Sequence, residues 1–253
     1  MKFKFLITLL SPLLICCKGT EKNSRNVAEI SSERISINSE IIADQEIDEF
    51  IKPYQKHLNA TLDSVLAYNP TLLSKNDGDL NTAIGNLMAD VVMQQASPVI
   101  EKRSGRKIDI VLLNHGGIRS ELPSGDITTR SAYNLMPFEN EIVVAELTGA
   151  QLKEMLKYLE KAKTAHPISG IKIKANRDYK IREATIKGEK IDKNETYFVA
   201  TSDYLFNGGD NMNFFRDPVN VYAADYKIRN ALIDHFTKTD TIRAKIDDRY
   251  IRE

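Results

Sequence analysis

Cysteine is almost absent from this chain: Cys16 and Cys17 are the only two. Beyond them, disulfides and thiolate metal sites are excluded. Histidine is nearly as scarce. His57, His115, His166 and His235 are the full set, and none sits in the D-x-H or G-N-H-[DE] spacing that a dinuclear metal site uses. His115 follows Asn114, but Gly116 stands where the acidic residue would be, so His115 reads as a loop residue beside a polar cleft. Excess charge of either sign is also missing, since 35 basic side chains balance 35 acidic ones. That balance argues against general nucleic-acid binding, which needs a basic surface to exchange for counterions. It leaves room for one local basic pocket. Nor is there a membrane-spanning run: Phe5 to Ile15, broken by Ser11-Pro12, falls short of the roughly 20 apolar residues a span takes.

What is present begins with an export signal. Lys2 and Lys4 precede the short apolar run, as in a secretory leader. Leu14-Ile15-Cys16-Cys17 is similar to a bacterial lipobox, with residues 1–16 as signal and Cys17 lipidated. Cleavage before Cys16 is the variant reading, and two ordinary small apolar residues in a cleaved leader is the plain one. Residues 17–42 are rich in Lys, Glu, Ser and Asn and read as a flexible tether. The expected location is therefore the cell envelope, exported and held to a membrane by lipid, on a periplasmic face or the cell surface. Residues 43–253 are long enough for one sizeable domain.

Within that domain, Ile47, Phe50, Ile51, Tyr54, Leu58 and Leu62 keep helical spacing from about Asp44 into the low sixties. Pro53 should kink this helix or mark its effective start. A second helix starts near Thr82. Residues 107–113 form a buried-strand run that ends at Asn114. A short helix over 129–135 and a strand over 141–147 follow. Thr148 is then placed to cap a helix with Gln151 as its capping-box partner. Strands are expected at 171–174, on both sides of Gly188-Glu189, and at 196–201, with a closing helix over 223–236. Strand pairs lie side by side without strict βαβ alternation. This favours an α+β fold, a layered α/β arrangement with mixed sheets and outer helices.

Two stretches carry the chemistry: Asn114-His115-Gly116-Gly117-Ile118-Arg119 and Tyr204-Leu205-Phe206-Asn207-Gly208-Gly209-Asp210. Each follows a strand-like run, and paired glycines let backbone approach a ligand. A cation, a carboxylate and an aromatic ring suit a guest that is anionic, hydroxylated and flat. A nucleotide fits. These stretches resemble the C-terminal, substrate-recognition domain of the 5'-nucleotidase / UDP-sugar hydrolase family. Gly85-Asn86-Leu87-Met88-Ala89-Asp90 is similar to its G-N-L-x-x-D helix start, and residues 114–120 to its N-G-G-G-I-R-S loop. GDIT (125–128), MPF (136–138), ELTGAQLKEML (146–156) and YLFNGGD (204–210) follow in the family's order.

The resemblance implies the same mixed-sheet fold and a set of substrate-binding residues. Arg119 would hold phosphate or ribose by bidentate bonds; the plain alternative is a salt bridge to Glu121 or Asp126. Asn114 would bond in the same cleft, or else cap its loop. Phe138 and Tyr204 would sandwich the base, although Tyr204 replaces the family's usual Phe. Asp210 would accept the ribose hydroxyls, or else serve as an Asx turn or helix cap. Gly116, Gly117, Gly208 and Gly209 complete the set. The family's usual enzyme also has a metallophosphoesterase domain with two metals and a His-Asp pair. This chain is expected to lack it, to hold no metal or cofactor itself, and not to hydrolyse phosphate esters alone.

One departure concerns Gly78. The family usually carries an arginine seven residues before the G-N-L glycine, and counting back from Gly85 reaches Gly78, flanked by Asp77 and Asp79. Lys75 could substitute if the loop shifts, without the arginine's fork. Weaker nucleotide affinity, or a preference for nucleosides or less charged sugars, is expected. The leading functional reading is a nucleotide-recognition component acting with a separate metallophosphatase chain that supplies divalent metals. The alternative is a stand-alone nucleotide- or nucleoside-binding surface lipoprotein; a fold relic is the third reading.

Overall fold

The computed structural model describes residues 31–253. The signal segment and Cys16 and Cys17 lie outside the described residues. The chain divides after Asp48 into two units. In the first, residues 31–44 form no helix or strand, and α1 (Gln45–Leu62) begins. The helix runs across Pro53, so Pro53 is not its start. Its apolar stripe is present as expected, yet Phe50, Tyr54 and Leu58 remain exposed.

The rest of the domain is organised by a five-stranded mixed sheet, with strand order β10-β4-β9-β2-β5. Its strands are β2 (Ile110–Leu112), β4 (Glu141–Thr148), β5 (Ile168–Ser169), β9 (Thr196–Ser202) and β10 (Asn220–Lys227). Side chains alternate across a strand, and here both faces are buried. Val111, Leu113, Ile142, Val144, Phe198 and Ala200 join one core, with α2 (Ala83–Ser104), α3 (Thr129–Leu135) and α6 (Ile228–Thr237). Ile110, Leu112, Ala145, Leu147 and Val199 join the other. That second core is closed by α4 (Gly149–Ala162) and a four-stranded sheet, β11-β6-β7-β8. Its strands are β6 (Ile171–Ala175), β7 (Ile181–Ile186), β8 (Glu189–Lys190) and β11 (Tyr250–Arg252). A small antiparallel pair, β1 (Val65–Asn69) and β3 (Gly125–Thr128), completes the sheets. The α+β layering read from the sequence is the observed one.

Local signals account for most element ends. Thr82 accepts from the backbone N–H of Gly85 and starts α2, while Gly105 ends it in a left-handed conformation. The capping box at α4 is complete: Gln151 N–H donates to Thr148 Oγ1 at 3.3 Å, and Thr148 N–H donates to Gln151 Oε1 at 2.9 Å. The closing helix needs correction. Residues 223–227 belong to β10, and α6 starts only at Ile228. Ala223 and Lys227 pair with Val143 and Glu141 of β4, so sheet pairing claims the first residues of the segment expected to be the closing helix.

The arrangement that matters for function is the pairing of β2 with β9. They lie side by side and parallel, with Ile110 opposite Val199 and Val111 opposite Ala200. Both strands therefore end at the same edge of the sheet. The segments following them, 114–119 and 203–210, emerge together, where α/β sheets bind ligands.

Candidate functional site

At that edge lies a cleft of about 370 Å³, lined by Asn114, Gly116, Gly117, Arg119, Phe138, Asn140, Tyr204 and Asp210. After β2 the chain makes one 3-10 turn over His115–Gly117. Ile118 is then fully buried, which leaves Arg119 exposed over the cleft. Its guanidinium carbon is 5.8 Å from the centroid of the Phe138 ring, within reach of a cation–π attraction. Among the described residues Arg119 forms no ion pair with Glu121 or Asp126; its backbone N–H donates to the carbonyl of Leu135 at 3.0 Å, and its guanidinium makes only a long 3.5 Å contact to the carbonyl of Gly116. The guanidinium fork is thus open to a guest.

The second segment caps α5 (Asp203–Phe206), where Ser202 accepts from Leu205 N–H. Gly208 then turns the chain with φ +94°, and Asp210 also takes a left-handed φ of +50°. Three bonds hold Asp210 in that conformation. Asn114 Nδ2 donates to Oδ2 at 2.7 Å, Tyr204 Oη donates to Oδ1 at 2.9 Å, and Tyr158 Oη donates to the backbone carbonyl at 3.1 Å. A hydrogen bond to a charged acceptor contributes about 1.5–3 kcal/mol. The bond to Asn114 ties the two motifs together across 96 residues. The hydrogen bond to Asp210 raises the Tyr204 pKa, and burial followed by the Asp210 charge raises that of Tyr158. Both hydroxyls therefore stay protonated donors. Each Asp210 oxygen keeps a lone pair for a further donor.

Seven of the nine residues singled out in the sequence line the cleft: Asn114, Gly116, Gly117, Arg119, Phe138, Tyr204 and Asp210. Gly208 and Gly209 do not. Gly208 makes the turn, and Gly209 lies beneath Tyr204, where a Cβ would come 2.5 Å from the ring. Phe138 and Tyr204 are 40% and 47% exposed, which rules out core packing as their purpose. Asn140 was missed by sequence reasoning. Its signal was a polar side chain two residues after Phe138 in the turn leading to β4. Tyr158 was missed too, because its helical position gave no hint of a bond to Asp210.

His115 is not among the cleft-lining residues. Its Nε2 lies 3.2 Å from the carbonyl of Lys75, and its backbone N–H donates to His166 Nδ1 at 3.3 Å. His166 is buried, and desolvation, partly opposed by the Asp210 charge, pushes its pKa down to about 4. It serves as a neutral acceptor beneath the first motif. No group of three or more His, Cys, Asp or Glu side chains among the described residues could hold a metal ion.

The loop around Gly78 explains the departure noted in the sequence. A Cβ there would lie 2.0 Å from the carbonyl oxygen of Asn81, so no arginine fits in this loop conformation. Asp77 accepts from Ala83 N–H at the start of α2, and Asp79 pairs with Arg252 at 3.0 Å. Lys75 Nζ donates to the carbonyl of Ile118 rather than entering the cleft. Arg119 is the single cation among the cleft-lining residues. The G-N-L-x-x-D stretch likewise does structural duty. Asn86 bonds Asn81 and the carbonyl of Lys245, and Asp90 pairs with Arg249 at 2.8 Å.

The structure is a mixed α/β domain with a cleft at the ends of β2 and β9, and comparison with known proteins gives it a family. The family model "5'-nucleotidase, C-terminal domain" matches residues 61–217, and the chain belongs to that family. It is 30% identical over 215 residues to the trifunctional nucleotide phosphoesterase protein YfkN of Bacillus subtilis, covering 78% of this chain and 14% of that protein. It is 30% identical over 189 residues to protein UshA of Escherichia coli, covering 71% of this chain and 32% of that protein. The chain thus spans a third or less of either relative. The fold is shared with the 5'-nucleotidase precursor of Thermus thermophilus, at TM-score 0.68 and 21% identity, covering 81% of this chain and 42% of that one.

Proposed function

We propose that this domain recognises nucleotides or nucleosides for a 5'-nucleotidase-type hydrolase, with a separate metallophosphatase chain supplying the divalent metals and the bond-breaking step. The observation that carries the reading is the composition of one cleft: an open guanidinium at Arg119, a carboxylate at Asp210, and two half-exposed rings at Phe138 and Tyr204. Arginine matches phosphate oxygens, a carboxylate accepts from a vicinal diol, and aromatic faces stack on bases at roughly 1–3 kcal/mol each. The names of YfkN and of the Thermus thermophilus structure, a nucleotide phosphoesterase and a 5'-nucleotidase, point to the same ligand class.

A second reading draws on the single cation. With Gly78 blocked and Asp79 paired to Arg252, the lining residues balance one positive side chain against one negative. That favours a stand-alone module capturing nucleosides or weakly charged nucleotides at the cell envelope. Under both readings Cys17 carries a lipid anchor.

Calorimetric titration of the exported chain with AMP, adenosine and their 2',3'-dideoxy forms tests the binding claim. The ribose compounds should bind more tightly than the dideoxy ones; equal affinity would remove Asp210 from diol recognition. Hydrolysis of AMP with divalent metals, with and without a metallophosphoesterase partner, separates the two readings. Robust turnover by this chain alone would overturn both. Cys17→Ala should release the protein from membranes.

A further inference from the structure

The first two residues of α6 make several of the bonds that hold the loop carrying Phe138 and Asn140. Ile228 N–H donates to the carbonyl of Asn140 at 3.0 Å. Arg229 Nη1 donates to the carbonyls of Pro137 and Phe138 at 3.1 and 3.3 Å, and its Nη2 pairs with the Glu139 carboxylate. The guanidinium also stacks 4.1 Å from the centroid of the Tyr133 ring. Arg229 is only 4% exposed, and its Nε is buried without a hydrogen-bond partner.

Helix stability does not account for this residue. A cation in the first turn opposes the helix dipole, and a buried polar atom without a partner is costly. What the arginine does achieve is local. One planar group spans three consecutive residues of a turn that no sheet ladder orders, and Glu139, which Lys227 also holds, balances its charge. Phe138 itself is half-exposed, with the Arg119 guanidinium 5.8 Å from its ring centroid.

We propose that Arg229 is a positioning residue that fixes the Phe138 ring at the base-stacking wall of the cleft. This rests on the nucleotide or nucleoside reading for its consequence, but the bracing itself is measurable without any ligand. The chain has no tryptophan, so Phe138→Trp introduces one reporter. In that background Arg229→Met should lower fluorescence anisotropy and raise the acrylamide quenching constant about twofold as the loop opens locally. Arg229→Lys keeps a charge for Glu139 but loses the fork, and should move the same way. It also serves if the Met variant unfolds, with far-UV circular dichroism reporting the fold.

With adenosine as probe, Arg229→Lys should weaken binding about tenfold when Phe138 is present and have no further effect beside Phe138→Ala. Unchanged quenching in a folded Arg229 variant overturns the proposal. So does an equal loss of adenosine affinity in the Phe138→Ala background. Loose quenching together with no adenosine or AMP binding by the wild type would uphold the brace and overturn the nucleotide reading.

Discussion

The two glycine pairs look alike in sequence and do different work. Gly116 and Gly117 line the cleft, and the only atoms near a Cβ there belong to Asn114, at 3.4 and 2.8 Å respectively. Gly208 and Gly209 lie behind the opposite motif. The first turns the chain at φ +94°, and the second makes room for the Tyr204 ring and carbonyl. Gly116 borders open space in the cleft and Gly117 leaves room for the Asn114 side chain, while Gly208 makes a turn and Gly209 leaves room for Tyr204. The same dipeptide therefore lines a cleft at one strand end and serves turn and packing at the next, and only the atoms around it tell which.

The contrast can be broken most forcefully at Arg119. Arg119→Ala should cost roughly 2–5 kcal/mol of AMP binding once the ligand desolvates the pair, read by calorimetry. Retained affinity would mean that the first motif does not face the anion. The prop beneath the same motif comes next. His166 is buried neutral with its pKa near 4, below the ordinary 6.5. The unfolded chain therefore takes up a proton first as pH falls. Stability present above pH 6.5 should drop by about 3 kcal/mol on reaching pH 4. His166→Gln, which keeps an acceptor for His115 N–H, should flatten that limb in pH-dependent urea unfolding.

At the second motif, Gly209→Ala drives a Cβ to 2.5 Å from the Tyr204 ring and 2.6 Å from its carbonyl. Overpacking of this kind costs roughly 1–3 kcal/mol, and the unfolding midpoint should fall accordingly. Gly116→Ala should be the mildest for stability, within about 0.5 kcal/mol, while still weakening nucleotide binding by narrowing the cleft. If Gly116→Ala destabilised as much as Gly209→Ala, the division of labour between the pairs would be wrong.

Much of this was readable from local chemistry. The capping box of Thr148 and Gln151, the start of α2 at Thr82, and the strands preceding both motifs follow from side-chain spacing and hydrogen-bonding groups a few residues apart. The start of α6 was misread because Ala223–Lys227 has no local feature announcing that β4 will pair with it. The stripe of α1 was read correctly as apolar, yet periodicity says nothing of whether a surface exists to cover Phe50, Tyr54 and Leu58. The G-N-L-x-x-D stretch served as a family signal, but Asn86 and Asp90 bond to Lys245 and Arg249, more than 150 residues on.

The sequence by itself determined the inventory: strands that end at Asn114 and near Tyr204, a guanidinium, a carboxylate, two rings, and a layered mixed fold. These depend on bond geometry and hydrophobic period, which act over a few residues. Tertiary structure alone decided that β2 and β9 lie parallel and adjacent, so that Asn114 meets Asp210. It decided too that Gly78 is jammed against Asn81, leaving Arg119 the one cation lining the cleft. Strand order and close packing depend on contacts between residues far apart in the chain, and no local pattern encodes which distant partner will be there.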